Sequence, residues 1–403
     1  MAFDVASIRG LYTSLGDGWT YLNAHDTPQI PERVSAAVSR SFRLSASVAL
    51  PEPGAGTHSR EQLGRPEGES YVQQARSAVA DLVGAAPGRV VLGPSLPALY
   101  ASLAVALKPL FRRDSSLVLN GVDRPELTGA LARIDAPTKY AQADLATGDL
   151  PAWQFGDLVD GATRLVSVPA AHAELGTIIG VGDVVERVRE RSRAWVLVDV
   201  SAYAPYKPIT FDAWGADILA IDLAELGGPQ LGALVFRDEA MFGRLEAPTL
   251  DMQVSTGLAG GVPAVVEHYA SLVEGAQGRP TRRNRLTHSM GETATYFNRL
   301  RDDLDTFLGT LPAVHIVGVS GEAAEDAAIE RIPRLMFGVR GVPSTMVHQR
   351  LFAHGIVSTM ARPSRLISDM GVAEMGGAVT VGLAPFNTET DIEQLIRTVA
   401  SLA

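Results

Sequence analysis

A chain of 403 residues, 46 % hydrophobic and 20 % charged, has enough apolar surface for a sizeable core and is poorly suited to long disorder. Its formal charge of −10 and the lack of any basic run or stripe argue against nucleic acid and anionic membrane as partners. The absence of cysteine excludes disulfides, thiolate metal ligands and a persulfide carried on the protein itself.

Residues 1–10 carry Asp4 and Arg9 and no continuous apolar core, so no signal peptide is expected there. No apolar run reaches the length of a membrane span, and the expected location is the cytoplasm. Residues 1–20 read as an N-terminal helical segment, and 50–69, rich in Pro, Gly and charge, as a long loop. From there to 236, short β-branched runs predict strands at 89–93, 116–120, 164–168, 195–200, 217–222 and 232–236. Amphipathic stretches at 71–83, 97–107, 153–159 and 184–193 predict helices. Strand and helix in alternation imply a mostly parallel sheet with helices on both faces, whose ligands sit at the carboxyl ends of the strands. An irregular stretch, 247–262, precedes a helical pattern near 263–274 and a long helix at 282–308. Strands at 314–317, 334–339, 356–360 and 378–383, with helices at 344–354 and 389–402, then form a smaller α+β unit. The expected organisation is a large α/β domain over 21–280 and a small C-terminal α+β domain over 281–403.

Three sites carry candidate chemistry. Asp199 ends an apolar strand, where a carboxylate either binds a cation or ring nitrogen or caps the next segment. Gly227-Gly228-Pro229 joins two strands and reads as a tight turn. His172 and Glu174 follow the strand at 164–168, either as a polar loop pair or as an acid–base couple. None of the eight histidines falls in a metal-binding pattern, and no metal site is expected. There is neither a Gly-x-Ser-x-Gly elbow nor a phosphate loop ending in Gly-Lys-Ser/Thr.

Five stretches in order resemble the class V aminotransferases, the fold type I pyridoxal-phosphate (PLP) family that includes the cysteine desulfurases. They are Tyr21-Leu22-Asn23-Ala24 with Thr27-Pro28, Leu175-Gly176-Thr177-Ile178, Val198 to Pro205, Gly228-Pro229 with Gly232, and Gly382-Leu383 with Phe386-Asn387-Thr388. The resemblance spans about residues 20 to 395. It implies an α/β fold type I PLP-transferase with a mostly parallel seven-stranded sheet, a smaller C-terminal α+β domain, PLP as cofactor and a homodimer with a small-molecule site between the domains.

The same resemblance exposes departures. Glu225, in Asp222-Leu223-Ala224-Glu225, falls where the family has its Schiff-base lysine, and a carboxylate cannot form an imine. Asp222 takes the place of a phosphate-binding serine and Ala224 that of a His or Tyr. In the phosphate turn, Ser95 and Pro97 follow Gly93, and Pro97 stands for a threonine and offers no N–H. Arg124 replaces the ring-stacking histidine, Ala173 (beside His172) an asparagine, Ala202 a glutamine, and Thr380 the arginine for a substrate carboxylate. Asp199 retains the ring-nitrogen position. The expectation is a family member without standard PLP catalysis, working as a regulatory or small-molecule-binding homodimer. The alternative is an enzyme of altered chemistry in the same cleft, using Glu225, Asp222 and Asp199 as acid–base groups or cation ligands. Among the three lysines (108, 139, 207), Lys207 lies nearest Asp199 in sequence and is expected to be a solvated charge.

Overall fold

The computed structural model of the chain describes residues 3–49, 65–319 and 329–402. Its main sheet has seven strands: β1 (Val90–Gly93), β2 (Ser116–Asn120), β3 (Thr138–Ala141), β4 (Thr163–Pro169), β5 (Trp195–Asp199), β6 (Ile218–Asp222) and β7 (Gly232–Phe236). Their order across the sheet is β1-β7-β6-β5-β4-β2-β3. All neighbours are parallel except β7, which runs antiparallel to both β1 and β6.

Strand residues alternate between two buried faces. Leu117, Leu165, Leu197, Ala220 and Leu234 pack on one side with Leu99, Leu103 and Leu127 from helices Leu96–Ala106 and Pro125–Leu131. Val118, Val166, Val198, Leu219 and Val235 pack on the other with helices Glu67–Val83, Val181–Arg191 and Val262–Ala270. Period-two burial on both faces is the reason these strands read as continuous apolar runs.

A second sheet has the order β8-β9-β11-β10, all antiparallel, with β8 (Val314–Val317), β9 (Arg334–Val339), β10 (Thr359–Met360) and β11 (Val379–Gly382). The 28-residue helix Arg282–Gly309 lays Phe297, Leu300, Leu304 and Leu308 on this sheet, and Glu389–Ala400 adds Ile392 and Leu395. Thr20–Tyr21 pairs in parallel with Ile356–Val357, which ties the N-terminal segment, with its short helix Val5–Arg9, to the C-terminal unit.

Several elements depart from expectation. The predicted strand at 356–360 divides at Ser358, and its halves serve different sheets. The stretch 247–262 holds a 3-10 turn, Ala247–Leu250, and a short helix, Thr256–Ala259. Of the loop expected at 50–69, residues 50–64 lie outside the described residues, and Glu67 already begins a helix whose first turn carries Glu67 and Glu69 near its positive end. Helix Glu32–Leu44 and edge strand β3 were not predicted; the helix carries only a narrow inward stripe, with Val34 and Ser41 buried, and β3 is a four-residue edge strand with one buried residue, Ala141. Among the described residues no helix is long and apolar enough to cross a membrane.

Candidate functional site

Asp199 and Asp222 close β5 and β6 at the carboxyl edge of the sheet, Asp199 level with Pro169 and Ala220, and Asp222 level with Gly232 and Gly93. Gly232 is required here, since a Cβ would come within 2.6 Å of the Leu96 nitrogen. Asp199 Oδ1 accepts from the Ser201 amide at 2.9 Å and from its hydroxyl at 2.5 Å, so it caps the turn after β5. Its other oxygen faces Arg124, whose Nη2 lies 3.1 Å away. Arg124 precedes helix Pro125–Leu131, and its guanidinium also donates to Ser201 Oγ at 3.2 Å and Asp222 Oδ2 at 3.3 Å. Asp222 Oδ1 accepts the Ala224 amide at 3.1 Å and so starts the 3-10 turn Leu223–Leu226.

Glu225 sits within that turn, which Gly227 terminates in the left-handed conformation at φ 72°. Its carboxylate does not join Arg124 by a hydrogen bond. It pairs instead with Arg334 of β9, Nη2 to Oε2 at 2.8 Å. The Arg334 side chain is 1 % exposed and the Glu225 side chain 17 %. Arg334 also donates to the Ala173 carbonyl at 2.9 Å and lies over the Tyr206 ring, 5.6 Å from its centroid. Tyr206 in turn donates to the Leu383 carbonyl at 2.9 Å. A cation from the second sheet is thus locked against a carboxylate of the first.

Burial and charge order the titrations around this pair. Burial, helped by Arg334, pushes His25 down to about 3 and His172 down to about 4, so both rings are neutral and Arg334 is the local cation. His172 Nδ1 accepts the amides of Glu174 and Leu175 at 3.0 and 3.1 Å, which makes it an organiser of its own turn. Burial raises Asp222, opposed by Arg124 and reinforced by Glu225. Burial, then the Asp199 charge, pushes Asp123 up to about 7 despite bonds from Asn120 (2.8 Å) and Ser167 (3.0 Å) to its Oδ2. Asp123 Oδ1 and the Tyr100 hydroxyl are buried without partners.

The structure therefore brings Arg124, Asp199 and Asp222 together, with Glu225 one turn away under Arg334. Ser95 lies beside Gly232 at the same edge as the N-cap of helix Leu96–Ala106, accepting from Ala98 at 3.3 Å, and neither it nor His172 is hydrogen-bonded to the cluster. Ser201 and Arg334 were missed in sequence. The available signal for Arg334 was a lone charge opening an otherwise apolar strand. Thr380 is fully buried between Met336 and Thr359, its hydroxyl without a partner. Lys207 pairs with Glu330, and Lys139 with Asp160 and the Leu158 carbonyl. Among the described residues no group of three or more acidic or imidazole side chains is arranged to hold a metal ion.

The sheet order, the second α+β sheet and the strand-edge aspartate together define an α/β protein of the fold type I PLP-enzyme class. The chain belongs to the class V aminotransferase family, which matches it over residues 20–246. It is 37 % identical to the uncharacterized protein MT3887 of Mycobacterium tuberculosis over 418 residues, covering 100 % of both chains. The aminotransferase-like protein FGM3 of Gibberella zeae is 25 % identical over 336 residues, 80 % of each chain. Among solved structures, the apo cysteine desulfurase of Thermococcus onnurineus NA1 superposes with a TM-score of 0.79 at 17 % identity, over 100 % of this chain and 99 % of that one, a likeness of fold.

Proposed function

We propose that this chain keeps the class V aminotransferase fold without lysine-dependent PLP chemistry, and works as a cytoplasmic homodimer that binds a small molecule or regulates a partner through the cleft between its large (21–280) and small (281–403) domains. The observation that carries the reading is the Arg334–Glu225 pair, with Arg124 held between Asp199 and Asp222. By the family resemblance Glu225 stands at the lysine position, and Asp199, Arg124, Ser95, His172 and Asp222 stand at cofactor positions.

Pyridoxal phosphate does not fit these residues. The outward oxygen of Asp199, which a ring nitrogen needs, is taken by Arg124. Asp222 points its Oδ2 into the same space. A carboxylate about 4 Å from a phosphate costs about 4 kcal/mol for each pair of unit charges in a partly buried site. Lys207 and Lys139 are engaged elsewhere, and Lys108 is exposed in the 3-10 turn Lys108–Leu110.

Homodimerisation is supported by apolar side chains left in solvent at the end of helix Glu32–Leu44 and just beyond it, Phe42 at 55 % and Val48 at 67 % exposure. Sedimentation of wild type against Phe42→Asp/Val48→Asp tests that part, with a dimer expected to become a monomer. The functional reading is tested by assaying sulfide release from cysteine and amino-group exchange in the presence of PLP. Rates equal to free PLP are expected, and protein-dependent turnover overturns the reading.

A further inference from the structure

Six arginines, at positions 112, 164, 189, 191, 193 and 244, line one cavity of about 880 Å³, half of its twelve lining residues, and none of the other six is acidic. Such a gathering of cations on a chain of net charge −10 goes against the overall balance. The cavity opens at the far edge of the main sheet from Asp199. It is bounded by the chain entering β2, β4 and β5, the end of helix Val181–Arg191, and the segment Glu239–Arg244 that follows the antiparallel β7. The four residue steps of β5 alone put about 13 Å between this edge and the cleft.

The charges there are only partly balanced. Arg189 pairs with the buried Asp217, which Arg237 shares at 2.8 Å, and Arg191 reaches the exposed Asp157 at 3.7 Å. Arg112, Arg164, Arg193 and Arg244 have no carboxylate within salt-bridge distance among the described residues. Arg164 is oriented by the carbonyls of Gly161 and Thr163 at 2.8 and 3.1 Å, and Arg244 rests on the Trp195 ring, 5.2 Å from its centroid. Two of the four guanidinium groups are therefore positioned but not neutralised, the state expected of anion ligands.

We infer that this arginine-lined cavity is a second ligand site, for a small molecule carrying two or more phosphate groups. Guanidinium groups bind phosphate through paired N–H bonds, and four uncompensated cations call for a polyanion. The volume is that of a metabolite site, far more than one phosphate fills. The site is independent of the cleft and of what the cleft binds.

The test is calorimetric titration of the full chain with inorganic pyrophosphate and with ATP, using inorganic phosphate and adenosine as comparisons. Pyrophosphate and ATP are expected to bind at least tenfold tighter than phosphate, with affinity falling as salt rises. Arg112→Glu/Arg193→Glu should weaken pyrophosphate binding at least tenfold. Arg350→Glu/Arg397→Glu, the same charge change at exposed sites on the second unit, should leave it near wild type. All four residues are exposed, so unfolding midpoints without ligand should stay close. Unchanged binding in the cavity variant, equal loss in both variants, or equal affinity for phosphate and pyrophosphate would each overturn the inference.

Discussion

Removing the Glu225 carboxylate should destabilise the protein although the cleft is not its main core. In Glu225→Ala the Arg334 guanidinium keeps the Ala173 carbonyl and the Tyr206 face, but its Nη2 loses its charged partner and its Nε already has none. With the side chain 1 % exposed, water cannot replace the loss. Breaking a buried ion pair from one side costs about 3–5 kcal/mol, and the surviving carbonyl and ring contacts put this site near the lower end, about 3 kcal/mol. Taking both charges away, in Glu225→Ala/Arg334→Met, removes the stranded cation and should recover most of that loss. Urea unfolding followed by tryptophan fluorescence, compared at constant slope, measures each variant and the coupling between them. The reasoning is refuted if Glu225→Ala stays within about 1 kcal/mol of wild type, or if the double variant loses the sum of the two single losses.

Glu225→Lys alone should not create a tight PLP site, because the new ammonium faces Arg334, Arg124 still covers Asp199, and Asp222 and Pro97 still deny the phosphate its donors. Adding Asp222→Ser and Pro97→Thr should tighten PLP binding well beyond the single change, as read by titration; equal affinities would mean that the phosphate is held elsewhere. Asp123 gives a pH dependence. Its carboxyl is raised from 3.8 to about 7 by burial and then Asp199, so the native state keeps a proton the unfolded chain releases. The stability this contributes is full below about pH 4 and is lost as pH rises to about 7. Asp123→Asn should therefore gain on wild type by a few kcal/mol between pH 4 and pH 7.5 in urea midpoints, and a pH-independent difference would show that Asp123 titrates normally.

The central strands were legible because burial on both faces writes them as β-branched runs, and the strand-edge rule led directly to Asp199, while Asp222 came from the family resemblance. In the structure Asp199 holds its own turn with one oxygen and faces Arg124 with the other. Arg124 and Glu225 came from the family resemblance; no local pattern marks them. Arg334 was out of reach for a different reason. It sits 109 positions after Glu225, and nothing local says that the first residue of β9 turns towards a turn of the other sheet. The arginines at 189, 191 and 193 alternate along a short stretch at and just beyond a helix end; only the fold adds 112, 164 and 244 to them.

The central claim is that no lysine serves the cleft. It is tested most directly by incubating the purified protein with PLP, reducing with borohydride and mapping the peptides by mass spectrometry. The account predicts no stoichiometric phosphopyridoxyl group on any cleft peptide, with 199–230 recovered unmodified. One full equivalent on Lys207, the lysine closest in sequence to Asp199, would contradict it.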